Sequence, residues 1–204
     1  MIAIIDYHAG NIGSIRNMLK KIGHDAQITS VSADLSAANK IILPGVGSFD
    51  YGMTKLAELG MIGALNAARE AGKPILGICL GAQLMCKGSE EGKLSGLGWV
   101  DAVVKKFPTN HNGRKFTVPH MGWDTVEMRK QSKLFEAVEM PARFYFVHSY
   151  YIDCNQPEVV LTGNAYSAPY HSAFENQNII GLQYHPEKSH RFGKQVLKNF
   201  VEKY

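Results

Sequence analysis

Three apolar runs without alternation narrow this chain to one kind of sheet. Ile2-Ala3-Ile4-Ile5, Ile41-Ile42-Leu43 and Pro74-Ile75-Leu76-Gly77-Ile78 carry no polar face that could be turned to water. Successive side chains of a strand point to opposite faces, so such runs need cover on both sides. Helical patterns lie between them. Ile12, Ile15, Leu19 and Ile22 form a stripe after the candidate N-cap Asn11, and two further helical segments fall near Asp50–Leu59 and Met61–Glu70. Apolar strands joined by helices predict a parallel sheet with helices on both faces.

The second half reads as strand-rich. Val100–Phe107, Phe116–Val118, Arg143–Val147, Val159–Thr162, His171–Phe174 and Ile179–Gln183 all look extended. Short turns such as Glu175-Asn176-Gln177-Asn178 predict antiparallel additions to the sheet. Ser189–Tyr204 is expected to close the chain as a helix, with Phe192, Val196, Leu197, Phe200 and Val201 on its apolar side. The 204 residues contain no linker-like stretch, which predicts a single domain over 1–204.

Composition excludes several function classes. The net charge of +4 comes from scattered basic residues that do not alternate with aromatics, which argues against a nucleic-acid groove. Three cysteines without paired spacing argue against a disulfide framework or a zinc site. The eight histidines show no two-His helix spacing, so neither a metal nor another cofactor is expected. No apolar run approaches the length of a membrane span, and a reducing cytoplasmic location is the expectation.

The chemistry concentrates in two stretches. Gly77-Ile78-Cys79-Leu80-Gly81 ends the third apolar run and leads into Gln83-Leu84-Met85. This is the thiol form of a nucleophile elbow, a sharp strand-to-helix turn that lifts one side chain clear of the sheet. Its flanking glycines leave room for crowded backbone, and a sulfur at a helix N-terminus favours its thiolate form. The plainer alternative is a cysteine packed between two glycines in the core. Downstream, Tyr184-His185-Pro186-Glu187 places a histidine two residues from a carboxylate, on one side of an extended segment. His185 can then act as base toward Cys79 and as acid toward a leaving amine, with Glu187 orienting the ring. The loop Pro44-Gly45-Val46-Gly47 follows a buried strand, at the carboxyl edge where active sites of open α/β sheets gather. Backbone N–H groups of Gly47 and Leu80 are the expected oxyanion hole.

These runs resemble the class I (triad-type) glutamine amidotransferases. Further shared stretches are Asp6-Tyr7 with Ala9-Gly10-Asn11, Pro119-His120-Met121-Gly122-Trp123 and Tyr145-Phe146-Val147-His148-Ser149-Tyr150. The last two are similar to one branch, the glutaminase subunits of imidazole glycerol phosphate synthase in histidine biosynthesis. The resemblance implies a flavodoxin-like, open, mostly parallel α/β sheet. It also implies that Cys79 attacks the amide of glutamine with His185 and Glu187 completing the triad. Gly45, Gln83, Glu91, Ser149 and Tyr150 match substrate-binding positions. His120, Trp123 and Lys188 match positions at or near the interface with a cyclase partner, a (β/α)8 barrel that forms a heterodimer and takes the ammonia. Ala82, Asp124 and Ser167 depart from the branch pattern, and Ser189-His190-Arg191-Phe192-Gly193 is more basic than its usual Ser-Gly continuation. A paralogous branch that amidates a surface-polysaccharide sugar shares such departures. Two other readings stay open, a stand-alone γ-glutamyl hydrolase and a docking protein without catalysis.

Overall fold

A computed structural model describes residues 1–204. Five parallel strands form the centre of the sheet, in the order Ala26–Thr29, Ile2–Ile5, Lys40–Gly45, Ile75–Cys79 and Ile179–Leu182. The sheet then turns antiparallel. Pro169–Asn176 pairs with Ile179–Leu182, Tyr150–Cys154 pairs with Pro169–Asn176, and Ala102–Lys106 pairs with Tyr150–Cys154. Val160–Ala165 branches off Pro169–Asn176 through a bulged pairing. The parallel sheet predicted from the apolar runs is therefore present, open and mostly parallel as the resemblance implies, with its antiparallel additions in the C-terminal half.

Alternation distributes the central strands between two cores. Ala3, Ile5, Ile41, Leu43 and Ile75 pack on one face with the helices Phe49–Glu58, Met61–Glu70 and Leu80–Leu84. Ile2, Ile4, Ile42, Leu76 and Ile78 pack on the other with Ile12–Lys21 and His190–Lys203. Each buried aliphatic side chain contributes about 1.5–3 kcal/mol, so removing either layer would expose a row of such residues. The closing helix buries Val196, Leu197, Phe200 and Val201 as its stripe requires, and leaves Phe192 half-buried. Asn11 sits at the N-cap position of the first helix, but its side chain accepts from the Ser14 hydroxyl rather than from backbone.

Apart from two-residue strands, three strands escape a sequence reading. Ala26–Thr29 is a half-exposed edge strand whose polar residues give no run, and pairing with Ile2–Ile5 is what extends it. Tyr150–Cys154 hides its alternation behind Asp153, which forms a 2.7 Å ion pair with Lys105 on the neighbouring strand. His120–Thr125 pairs residue for residue with Arg143–His148 in a small separate ribbon. Conversely, Phe116–Val118 is not a strand. The strand pairing there is the hairpin Asn110–His111 with Arg114–Lys115, after which the chain bends toward Pro119, which has no N–H for a ladder.

Candidate active site

The elbow takes its shape from close backbone approach. Cys79 ends the strand Ile75–Cys79 and sits at the N-cap of Leu80–Leu84, with φ of 52° and ψ of −110°. A left-handed φ on a non-glycine residue is held only where the surroundings over-determine it. The surroundings here are tight. A Cβ on Gly77 would come within 2.7 Å of the Ala82 backbone, and one on Gly81 would run into the Leu43 carbonyl. Ala82, one of the departures, is thus the residue packed over Gly77. Across the sheet Gly45 is in register with Cys79, and a Cβ there would meet the Tyr7 hydroxyl.

Cys79 opens into a cleft of about 250 Å³. Val46 and Gly47 line one part, Leu80, Gln83 and Glu91 another, and Pro119 with Val147–Tyr150 close it. Gly47 has a φ of 116°, a conformation that suits glycine. Gly45 is buried just behind this wall and does not line the cleft, so its contribution there is clearance. Glu91 has one committed oxygen: its Oε2 accepts from the Phe49 N–H at 2.8 Å, at the start of the helix Phe49–Glu58. Both N–H groups of the Gln83 amide are also committed, to the Tyr150 carbonyl at 2.9 Å and to Gln183 Oε1 at 3.1 Å. That leaves the Gln83 oxygen to accept from a bound molecule.

His185 and Glu187 come together at the end of the adjacent parallel strand. Leu182 is in register with Ile78, and the chain continues past it to His185, which bridges to Tyr145. The pair is not carried by extended chain, as the spacing suggested. Pro186–Lys188 forms a 3₁₀ turn with proline at its first position, which folds Glu187 back onto the imidazole. His185 Nδ1 lies 2.8 Å from Glu187 Oε1, and both side chains are almost fully buried. A carboxylate only accepts here, so Nδ1 carries the proton and Nε2 is left without a partner of its own. Burial disfavours the charged ring, yet Cys79 and Glu187 outweigh it and raise the His185 pKa to about 10. The arrangement therefore supports an imidazolium beside the sulfur. Such a group can hold a proton and return it to a leaving amine.

A second histidine behaves oppositely. His148 is buried, its Nδ1 donating to the Tyr150 carbonyl at 2.8 Å, and burial pushes its pKa down to about 3. Its folded value lies below the unfolded one near 6.5, so the unfolded chain binds the extra proton as pH falls. His148 therefore costs nothing above pH ~6.5 and destabilises the fold progressively below it, by at most about 1.4 kcal/mol per pH unit. We expect His148→Gln to flatten the acid limb of a Tm-against-pH curve between pH ~6.5 and ~4. An unchanged slope would show that this ring does not titrate with unfolding.

The residues expected at a partner interface divide. His120 is buried, its ring stacked on Tyr166 at 4.2 Å and on Phe146 at 5.3 Å, so it is no surface contact. Strand alternation is the reason: His120 points inward while Met121 and Trp123 share the outer face. Trp123 is half-buried and packs edge-on against Tyr145 at 6.3 Å, and the exposed Lys188 ammonium lies 5.8 Å from the same ring. Met121, 62% exposed, and His190 complete a patch that sequence reading did not assemble. His190 has a φ of 44°, where a glycine would be free of strain, and its ring lies parallel to Trp123 at 5.3 Å. The patch adjoins the cleft, because Met121 is in register with the cleft residue Val147. Asp124 accounts for its own departure, with its carboxylate 3.6 Å from His120 Nε2 and 3.2 Å from Asn164 Nδ2. Ser167 is buried, and nothing in the structure explains it.

Comparison with known proteins gives the family and the fold. The family model described as "Glutamine amidotransferase class-I" matches residues 3–204. The chain is 50% identical over 203 residues to the Methanococcus maripaludis protein named imidazole glycerol phosphate synthase subunit HisH 2, covering 99% of each chain. It is 43% identical to the Pseudomonas aeruginosa protein of that name, again covering 99% of both. With the Bdellovibrio bacteriovorus subunit HisH the identity is 42%, over 99% of this chain and all of the relative. Among solved structures, PurLQS from Thermotoga maritima superposes with a TM-score of 0.73 at 18% identity, covering 98% of this chain and 96% of that one. The glutaminase domain of CTPS from Trypanosoma brucei gives 0.67 at 15%, covering all of this chain and 94% of that one. At those identities the likeness is one of fold. No helix is long and apolar enough to cross a membrane.

Proposed function

Given that this chain belongs to the class-I glutamine amidotransferases, as a glutaminase subunit of the imidazole glycerol phosphate synthase type, we propose that Cys79, His185 and Glu187 carry the amide hydrolysis. The observation that carries the reading is one juxtaposition. A left-handed elbow cysteine and a buried His–Glu pair with a 2.8 Å contact meet at the carboxyl edge of adjacent parallel strands.

The sulfur attacks the side-chain carbonyl carbon of glutamine. The C–N bond breaks as His185 delivers its proton to the departing nitrogen, and ammonia leaves behind a γ-glutamyl thioester. Water, deprotonated by the now neutral His185, hydrolyses the thioester to glutamate and restores the thiolate. Backbone N–H groups of Gly47 and Leu80 receive the developing oxyanion. The Glu91 carboxylate and the free Gln83 oxygen are the acceptors for the substrate's ammonium and amide hydrogens, with Ser149 and Tyr150 flanking its amino-acid end.

Ammonia passes to a cyclase partner, a (β/α)8 barrel, seated on the face formed by Met121, Trp123, Tyr145, Lys188 and His190. Half-buried aromatics beside a catalytic cleft have the character of interface anchors. The test is glutamate release by the purified chain, alone and with a cyclase partner plus its acceptor. We expect low turnover alone and strong stimulation by the loaded partner. Trp123→Ala should weaken partner binding by roughly 10-fold or more, read by titration calorimetry. High turnover without any partner would favour a stand-alone γ-glutamyl hydrolase and overturn the channelling reading.

A further inference from the structure

We propose that Gln183 is a further catalytic residue, a neutral donor that holds and stabilises the Cys79 sulfur, and this rests on the reading of Cys79 as the nucleophile. Gln183 is fully buried, two residues before His185, and its backbone N–H is bonded to the Ser172 carbonyl at 2.9 Å. A buried amide of this kind has to spend its polar atoms on partners. One of those partners is Cys79.

The orientation follows from a relay with a fixed end. The Tyr150 carbonyl can only accept, so the Gln83 atom 2.9 Å from it is the amide nitrogen. The same nitrogen lies 3.1 Å from the Gln183 side chain, so the Gln183 atom facing it is the oxygen. The remaining Gln183 atom is then the NH2 group, and it lies 3.8 Å from Cys79 Sγ. His148 Nδ1 donates to the Tyr150 carbonyl as well, at 2.8 Å, and reinforces the fixed end. The chain His148, Tyr150, Gln83, Gln183 thus aims an N–H at the sulfur from the side of the substrate wall. Hydrogen bonding to the charged form of an acid favours that form. A thiolate is the better acceptor, so the donor counts most when the nucleophile is ionised. Unlike His185, an amide supplies this without competing for the proton that the leaving amine needs.

The test separates a donor from a packing group. Cys79 reactivity is read as the rate of alkylation by iodoacetamide against pH, located by mass spectrometry, and glutaminase kinetics are measured beside it. Gln183→Met keeps length and volume but removes the donor. We expect its alkylation midpoint to rise by about 0.5–1 pH unit, with kcat falling about 3–10-fold and KM little changed. A midpoint within about 0.2 unit of the parent would overturn the proposal, even if activity drops, because the residue would then act by packing alone. In the intact parent chain, the Gln183 side-chain amide signals in selectively ¹⁵N-labelled protein should shift with that same midpoint and cease to do so in Cys79→Ala. Signals blind to the sulfur would sink the proposal independently of how the Met variant folds. If Cys79→Ala keeps glutaminase activity, the nucleophile reading fails instead, and the alkylation data still report on the contact.

Discussion

Cys79→Ala is expected to abolish glutamine hydrolysis, lowering kcat by roughly 10⁴-fold or more, while synthesis from added ammonium salts by the assembled complex persists. The magnitude follows from losing the only group that can form the thioester. Alanine keeps the Cβ that the elbow already accommodates at a φ of 52°, so the turn and the packing of Gly77 and Gly81 against Ala82 and Leu43 are retained. Glutamate release measured with and without ammonium rescue decides the case. Retained glutamine-dependent activity would make this a docking protein with another catalyst. Loss of the ammonium-driven reaction as well would indicate structural damage.

Glu187→Gln is expected to lower kcat by roughly 10³–10⁴-fold with a near-native fold. The carboxylate fixes the proton on His185 Nδ1 and so leaves Nε2 free for the sulfur. A neutral amide can offer its own N–H to Nδ1, which moves the ring proton to Nε2 and removes the base. It also withdraws a negative charge from a site that is almost fully buried, where charge counts most. The His185 pKa, held at about 10 by Cys79 and Glu187 against burial, should therefore fall. The pH profile of kcat and an unfolding curve provide the readouts. A loss below about 10-fold would show that the 3₁₀ turn and the Tyr145 bridge alone position the ring.

Much of this was readable in the residues, for reasons that can be named. Ile2–Ile5, Lys40–Gly45 and Ile75–Cys79 are legible because a strand buried on both faces has no polar position to disguise it. The helix Met61–Glu70 is legible because its three-four spacing of buried Met61, Leu65 and Ala68 has no strand reading. Ala26–Thr29 and Tyr150–Cys154 were not legible, since their extended form is imposed by pairing with neighbours: Ile2–Ile5 in one case, Ala102–Lys106 in the other. His120 was misplaced for a similar reason. Its family match marks a neighbourhood, and only the pairing with Arg143–His148 decides that it points inward while Met121 and Trp123 point out.

By itself the sequence determined the parallel sheet and the elbow and singled out Cys79, His185 and Glu187 as candidates, because apolar periodicity, paired glycines and a His-Pro-Glu run are local patterns. Tertiary structure alone decided how those groups act. It folded Glu187 onto His185 through a 3₁₀ turn. It spent the donors of Gln83 on Tyr150 and Gln183, and brought the Gln183 amide to the sulfur 104 residues away. Local patterns name which atoms are present. Orientation of a buried amide or imidazole depends on partners distant in the chain, and a polar group removed from water takes its direction from whichever of them can complete its hydrogen bonds.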